Sequence, residues 1–406
     1  MWKIPALFFA LALGLASAPD PASPATKARW WKGNTHTHTL WSDGDQAPEA
    51  VAAWYKEQGY HFLVLSDHNI LSRGEKWFPV SDQERSRLTS KRLEALQAQF
   101  GKAVQVRSAR RKDGTEGREM RLQTLPELRR RFEEKNRFVL VEGEEVTDDF
   151  KGKPVHINAL NLESLIPPQH GNSLLETLQN NLRAIAEHGR KHRRPVLAHV
   201  NHPNFGWALG AEQLAQLREE SYFEVYNGHR GVRNYGDAKH PSCEQLWDQA
   251  LKLRLQSGLP LLYGLATDDA HHYHGEGVAN PGRGWVWVRS DKLNANSIVK
   301  ALNAGEFYAS SGVRLQDFRI EESHYRIWIE AEEGIEYTTT FIGCRRRGTE
   351  WGPAGEILAT VKGRQVEYAF KGDELYVRAK IESTKAHPNP YAKGDRECAW
   401  LQPARP

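Results

Sequence analysis

The chain has 406 residues, 39% hydrophobic and 26% charged, an ordinary globular composition with room for one large α/β domain and a smaller one. The formal net charge is only +4 with histidine neutral, and its basic residues are dispersed, so nothing in the charge argues for nucleic acid. The three cysteines, Cys243, Cys344 and Cys398, show no Cys-x-x-Cys spacing and give no support to a thiolate zinc site.

In chain order, "MWKIPALFFALALGLASA" (1–18) reads as an export signal: Lys3, an apolar run over 4–16, then the small triplet Ala16-Ser17-Ala18. The run is too short to anchor the chain across a bilayer. Pro19 disfavours a cut directly after Ala18 and leaves Ala25 as an alternative. A Pro/Ala/Ser linker follows over 19–27. The expectation is a periplasmic or secreted protein with no stable membrane span. An exported chain tolerates disulfides, so Cys344 and Cys398 are candidates to pair, with three reduced, buried thiols the alternative.

Residues 28–313 alternate strand-length apolar runs with amphipathic helices. The runs are "HFLVL" (61–65), "RFVLV" (137–141), "PVLA" (195–198), "YFEVY" (222–226), "LPLLYGLA" (259–266) and "GWVWV" (284–288). One helix opens at Pro48 and stops at Gly59. A second opens at Ser173-x-x-Glu176, and a third opens at Ser242 and stops at Gly258. Repeated strand–helix units predict parallel strands with right-handed crossovers, hence an α/β barrel. Residues 81–136 interrupt the pattern with a helix near 82–99 and a β-hairpin around a Gly-rich turn, an insertion over one face of the barrel. Its Arg107, Arg110, Arg111 and Arg118 read either as an anion-steering patch or as a solvated hairpin. Residues 314–406 hold short alternating strands without a helix and predict an all-β sandwich.

The chemistry lies where these strands end. "WKGNTHTHTLWSDGD" carries His36, His38 and Asp43. "HFLVL" runs into Asp67-His68, and "RFVLV" into Glu142-Gly143-Glu144-Glu145. "PVLAHVN" runs into His202-Pro203, and "LLYGLAT" into Asp268-Asp269-Ala270-His271. His156 lies in "KPVHINAL". Parallel strands in a barrel deliver their C-terminal ends to one face, which turns scattered ligand types into one cluster. His-x-His on an extended segment aims both imidazoles to one side. Imidazole and carboxylate donors suit manganese, iron or zinc.

The series "NTHTHTLWSDG", "LVLSDHN", "VEGEEVT", "HVNHPN" and "ATDDAH" resembles, in order, the motifs of the PHP (polymerase and histidinol phosphatase) superfamily of metallohydrolases over about 31–310. The export signal, "EVYNG", "FYASSG" and the all-β tail ending in "AWLQP" are similar to its exported, carbaryl-hydrolase-like (CehA/McbA) branch. That resemblance implies a distorted (β/α)7 barrel and two or three divalent ions held by His36, His38, Asp43, His68, Glu145, His156, His202, Asp269 and His271. The family's Gly-x-Glu, His-Pro and Asp-x-His spacings select Glu145 over Glu144, His202 over His199 and Asp269 over Asp268. Ser66 stands where the family often has threonine.

The implied activity is hydrolysis of a small, anionic ester, a phosphoester before a carboxyl or carbamate ester, with a metal-bridging hydroxide as nucleophile and Asp43, Glu145 and Asp269 as the catalytic carboxylates. Arg283, His229, Arg230 and Asn204 are the candidate substrate contacts. A non-enzymatic exported binding protein is the remaining alternative.

Overall fold

The computed structural model describes residues 29–110 and 114–406; the export signal, the linker and Arg111 lie outside the described residues. Among the described residues, no helix is long and apolar enough to cross a membrane.

A mixed, 14-stranded sheet forms the backbone of the molecule. Its hydrogen-bonded path runs Tyr263–Thr267, Tyr222–Asn227, Leu197–Val200, Lys153–Leu160, Val139–Phe150, Phe62–Leu65, Arg29–Asn34, Trp285–Ser290 and Phe307–Ser310. From there it continues through Arg396–Ala404 into Glu374–Ala386 and Tyr337–Arg347. The expected α/β class holds, but the distorted (β/α)7 barrel is not seen: the sheet is mixed and does not close. One cause is local. A parallel pair needs a crossover of a dozen or more residues. Only Lys151 and Gly152, both at positive φ, separate Val139–Phe150 from Lys153–Leu160, and such a two-residue turn enforces an antiparallel hairpin. Trp285–Ser290 likewise pairs antiparallel with Arg29–Asn34.

Arg29–Asn34, Phe62–Leu65 and Val139–Phe150 nevertheless run parallel to one another, as do Leu197–Val200, Tyr222–Asn227 and Tyr263–Thr267. Lys153–Leu160 is antiparallel to both of its neighbours, so all six of those strands point the same way. Their C-terminal ends share one edge of the sheet, and that edge holds the site.

Helices cover the sheet where the pattern places them. Leu174–His192 is capped by Ser173, whose side chain accepts from Glu176 N, and it buries Leu178, Leu182 and Ile185 at helical spacing. Each such burial contributes about 1.5–3 kcal/mol against solvent exposure. Cys243–Gln256 opens on a Ser242/Gln245 capping box.

Trp77–Val80, Val106–Arg110 and Glu116–Arg121 form a separate three-stranded sheet, flanked by the helices Ser90–Phe100 and Leu125–Phe132. The hairpin was expected; the third strand was not. Leu93, Leu96, Met120 and Leu128 share a core with Leu40, Trp41, Val51 and Tyr55, so this segment is packed into the body beside the first motif.

Beyond residue 314 two antiparallel layers face each other. Leu315–Ile320, His324–Ile329 and Gln365–Ala369 make one; the continuation of the large sheet makes the other. Phe318, Tyr325, Ile327, Phe341, Val377, Ile381 and Leu401 fill the space between them, together with Trp287 and Tyr308 of the preceding strands. The last strand, Arg396–Ala404, joins this layer to Phe307–Ser310. All three cysteines are free and buried, which is the second of the two alternatives left open by the sequence.

Candidate metal centre

The first motif is pinned by the strands beside it. Thr37 N donates to Ser66 Oγ and Thr37 Oγ1 to Val64 O, both at 2.9 Å, so Thr37 faces the neighbouring strand. Alternation then turns His36 and His38 the other way, into the site. His38 N donates to Ala270 O at 3.0 Å, which brings the Asp269-Ala270-His271 segment alongside. Asp67 accepts from Thr39 N, Thr39 Oγ1, Ser42 N and Ser42 Oγ, folding the Ser42-Asp43-Gly44 turn back over His38. Only glycine fits at position 44, because a Cβ there would lie 2.6 Å from His38 C and O.

The ring nitrogens and carboxylate oxygens then converge. His36 Nε2 and His38 Nε2 are 3.1 Å apart. Each lies 3.3 Å from Glu145 Oε2 and 3.2 Å from Asp269 Oδ1. His68 Nδ1 is 2.9 Å from the same Glu145 Oε2. The other oxygen, Oε1, is 3.0 Å from His156 Nδ1 and 3.5 Å from His202 Nε2. Asp43 lies 3.5 Å from His38 Nδ1, 3.5 Å from His68 Nε2 and 3.3 Å from His271 Nε2. Thus Glu145 presents one oxygen to each of two groups of histidines, and Asp43 closes a third. Two of these residues sit in left-handed backbone, His202 at φ 26° and Asp269 at φ 49°. Such strain persists only where the surroundings enforce it, and it aims both side chains into the cluster.

These residues fit divalent ions. Donor atoms bound to one ion at about 2.1 Å stand roughly 3.0–3.4 Å apart, the separation seen around His36, His38, Glu145 and Asp269. Buried Glu145 Oε2 and His156 Nδ1 have no hydrogen-bond partner despite these short separations. Groups that crowd together without hydrogen-bonding are aimed at a common point. Three sets meet the spacing for holding an ion: His38, Asp43, His68 and His271; His36, His38 and Glu145; and His68, Glu145 and His156.

Burial opposes the charged form of Glu145, Asp269, His68 and His38, and their neighbours either overturn it or add to it. It would raise Glu145 and Asp269, yet the surrounding histidines hold both well below the usual carboxylate range. It would lower His68, but Glu145 and Asp43 lift that ring to about 11. His38, buried beside His271 and His68, is pushed down to about 3.

Glu224 was missed by the sequence reading. It is fully buried, its Oε1 lies 2.7 Å from His36 Nδ1, and it also accepts from Thr267 Oγ1, His202 N and Asn227 Nδ2. A carboxylate there fixes the proton on Nδ1 and leaves the Nε2 lone pair for the site. The available signal was a lone acid inside the apolar strand "YFEVYN". Glu224→Ala is expected to weaken metal affinity by about 10–100-fold in chelator competition. Wild-type affinity in that variant would show that His36 needs no orienting partner.

The rivals fall elsewhere. Glu144 points to the opposite face, accepts from Ile166 N and is raised to about 8 by burial. Asp268 accepts from Tyr55 OH and from the backbone N–H groups of Gly282, Arg283 and Gly284, which makes it a loop anchor. His199 is buried 3.8 Å from Glu224.

The substrate contacts expected from sequence mostly lie away from the site. The fully buried Arg283 guanidinium donates to Gly228 O, Val278 O, Gly277 O, Asn280 Oδ1 and Asn389 Oδ1, so its donors are spent on loops. Asn204 Nδ2 donates to Arg233 O and Pro241 O, and Arg230 is committed to Glu276, Pro390 O and Tyr391 O. Only His229 reaches the cavity of about 450 Å³ above the cluster, which Arg87, Phe205 and His272 also line.

No family model and no curated protein matches the chain. Among solved structures it is similar to a two-domain protein containing a predicted PHP-like metal-dependent phosphoesterase from Bacteroides vulgatus. That alignment has 14% identity and a TM-score of 0.40, over 93% of this chain and 96% of that one. A candidate metal-dependent phosphoesterase from Bifidobacterium adolescentis aligns at 12% identity and a TM-score of 0.28, over 61% and 92%. An amidohydrolase from Chromobacterium violaceum, with bound sulfate and no metal, aligns at 14% and 0.29, over 61% and 90%. These are distant likenesses.

Proposed function

We propose that this chain is an exported, metal-dependent hydrolase of ester bonds, and that its natural substrate is a phosphoester. The observation that carries this reading is Glu145, with Oε2 facing His36, His38 and His68 and Oε1 facing His156 and His202. A carboxylate so divided can serve two ions at once. The motif series supports membership of the PHP superfamily, and the export signal with the all-β tail supports its CehA/McbA branch. His36, His38, Asp43, His68, Glu145, His156, His202, Asp269 and His271 are the proposed ligands of two or three ions of manganese, iron or zinc.

Bound divalent ions supply Lewis acidity toward an ester oxygen and bring the pKa of water from about 15.7 towards neutrality. The chain does the rest. Three carboxylates, Asp43, Glu145 and Asp269, would face six imidazoles that must be neutral to ligate, so two or three divalent charges would leave the site positive and attractive to a phosphate. Glu145 and Asp269 are held ionised, ready to ligate without first losing a proton. The hydroxyls and backbone amides of Thr39 and Ser42 that donate to Asp67 hold the turn that carries Asp43.

The test is metal content of the purified mature protein, with turnover of p-nitrophenyl phosphate, its bis ester and p-nitrophenyl acetate. Two or three ions per chain with phosphate-ester turnover is the expected result. Metal with acetate turnover alone would replace the phosphoester by a carboxyl or carbamate ester. A chain that takes up no manganese, iron or zinc would leave the binding-protein reading.

A further inference from the structure

Among the described residues, Arg87 is the one lysine or arginine lining the cavity above the metal cluster. It comes from the inserted segment between Trp77–Val80 and Ser90–Phe100, whereas the cluster comes from the sheet edge. Its guanidinium is set in place from one side only. Nη1 donates to Ser42 O at 2.5 Å and to Gly44 O at 3.2 Å, the carbonyls on either side of Asp43. Cζ lies 4.9 Å from the centre of the Phe78 ring.

What the guanidinium leaves open is its other edge. Nε and Nη2 form the fork with which Arg73 holds Glu142 and Arg378 holds Asp248 in this same chain. In Arg87 that fork has no partner among the described residues, and no carboxylate neutralises it. Asp45, on the same wall, is within 3.7 Å of Arg92 and accepts from Tyr273 N. Asp43 turns its carboxylate to His38, His68 and His271. A charged fork, anchored at one nitrogen and stacked on an aromatic ring, has lost its rotamer freedom before any ligand arrives.

We propose that Arg87 is a specificity-determining residue that binds a second anionic group of the substrate, a carboxylate or phosphate separate from the ester being cleaved. This rests on the phosphoester reading above. The two groups are separate because Asp43 stands between them. Its carboxylate faces the cluster, while Arg87 is bonded to the carbonyls on either side of that residue. The substrate class is therefore a phosphoester whose leaving group carries its own negative charge.

Nonhydrolysable probes test this without relying on turnover. Calorimetry on the metal-loaded protein compares phenylphosphonate with 3- and 4-carboxyphenylphosphonate. Wild type is expected to favour a carboxylated probe by about tenfold or more, the range for a charge-assisted hydrogen-bond pair. In Arg87→Ala that ratio should collapse to about one with metal content retained; Arg87→Lys, which keeps the charge but not the fork, should fall between. Equal weakening of all three probes in Arg87→Ala would make the residue a brace for the Asp43 turn and overturn the proposal. So would a wild-type ratio near one. Failure of the phosphoester reading shows separately, as wild type that binds these probes yet turns over no phosphate ester.

Discussion

On the function proposed above, Glu145→Ala is expected to strip the site of metal and to lower hydrolytic turnover by about 10³-fold or more, because two ions would lose a shared ligand together. The geometry makes this residue unlike the other acids. Asp269 meets His36, His38 and His271 through Oδ1 alone, and Asp43 faces His38, His68 and His271, whereas Glu145 divides its two oxygens between two groups of histidines. Glu145→Gln, which keeps the shape and one oxygen acceptor, should keep the fold by circular dichroism and still lose most bound metal. The backbone is insulated from the change, since residue 145 stays paired with Asn158 in the sheet. Wild-type metal stoichiometry in Glu145→Ala, with turnover within tenfold, would mean that Glu145 is not the bridge.

Arg378→Ala carries the largest expected cost in stability, about 3–5 kcal/mol in urea denaturation. The guanidinium is 1% exposed, and its Nε and Nη2 donate to Asp248 Oδ1 and Oδ2 at 2.8 and 2.6 Å. Tyr376 OH donates to the same carboxylate at 2.9 Å. Arg378 belongs to the C-terminal strand Glu374–Ala386, and Asp248 to the helix Cys243–Gln256 that covers the large sheet. The pair therefore ties the terminal β layer to the body. Alanine at 378 leaves the Asp248 carboxylate buried without its counter-charge, which costs more than the pair itself contributes. Replacing both, as Arg378→Met with Asp248→Leu, should cost less than either single change. A loss below about 1 kcal/mol in Arg378→Ala would show that water reaches Asp248.

The second layer of control at the site had little signature in one dimension. Glu224 was a single acid in an apolar strand, and only the neighbouring strand end shows that it faces His36. Arg283 sits beside the last motif in sequence and spends every donor on loops. Arg87 was one of many basic residues in a charged segment; the packing of that segment against the first motif brings it to the cavity.

What the residues determined alone was local: where strands and helices form, and which short runs carry metal-capable side chains. Periodicity and caps suffice for the helices, as at Ser173 and Ser242, and His36-x-His38 states its own geometry because alternate side chains of an extended segment share a face. Strand direction was different. The two-residue turn at Lys151-Gly152 reverses the chain, and that reversal replaced the expected barrel by an open mixed sheet. Which of two adjacent acids enters the site was also a tertiary decision. Glu144 and Glu145 differ only in which face of one strand they occupy, and a face has meaning only once other strands lie against it. The metal cluster is built from segments more than two hundred residues apart, so its distances exist only where the sheet edge brings their ends together.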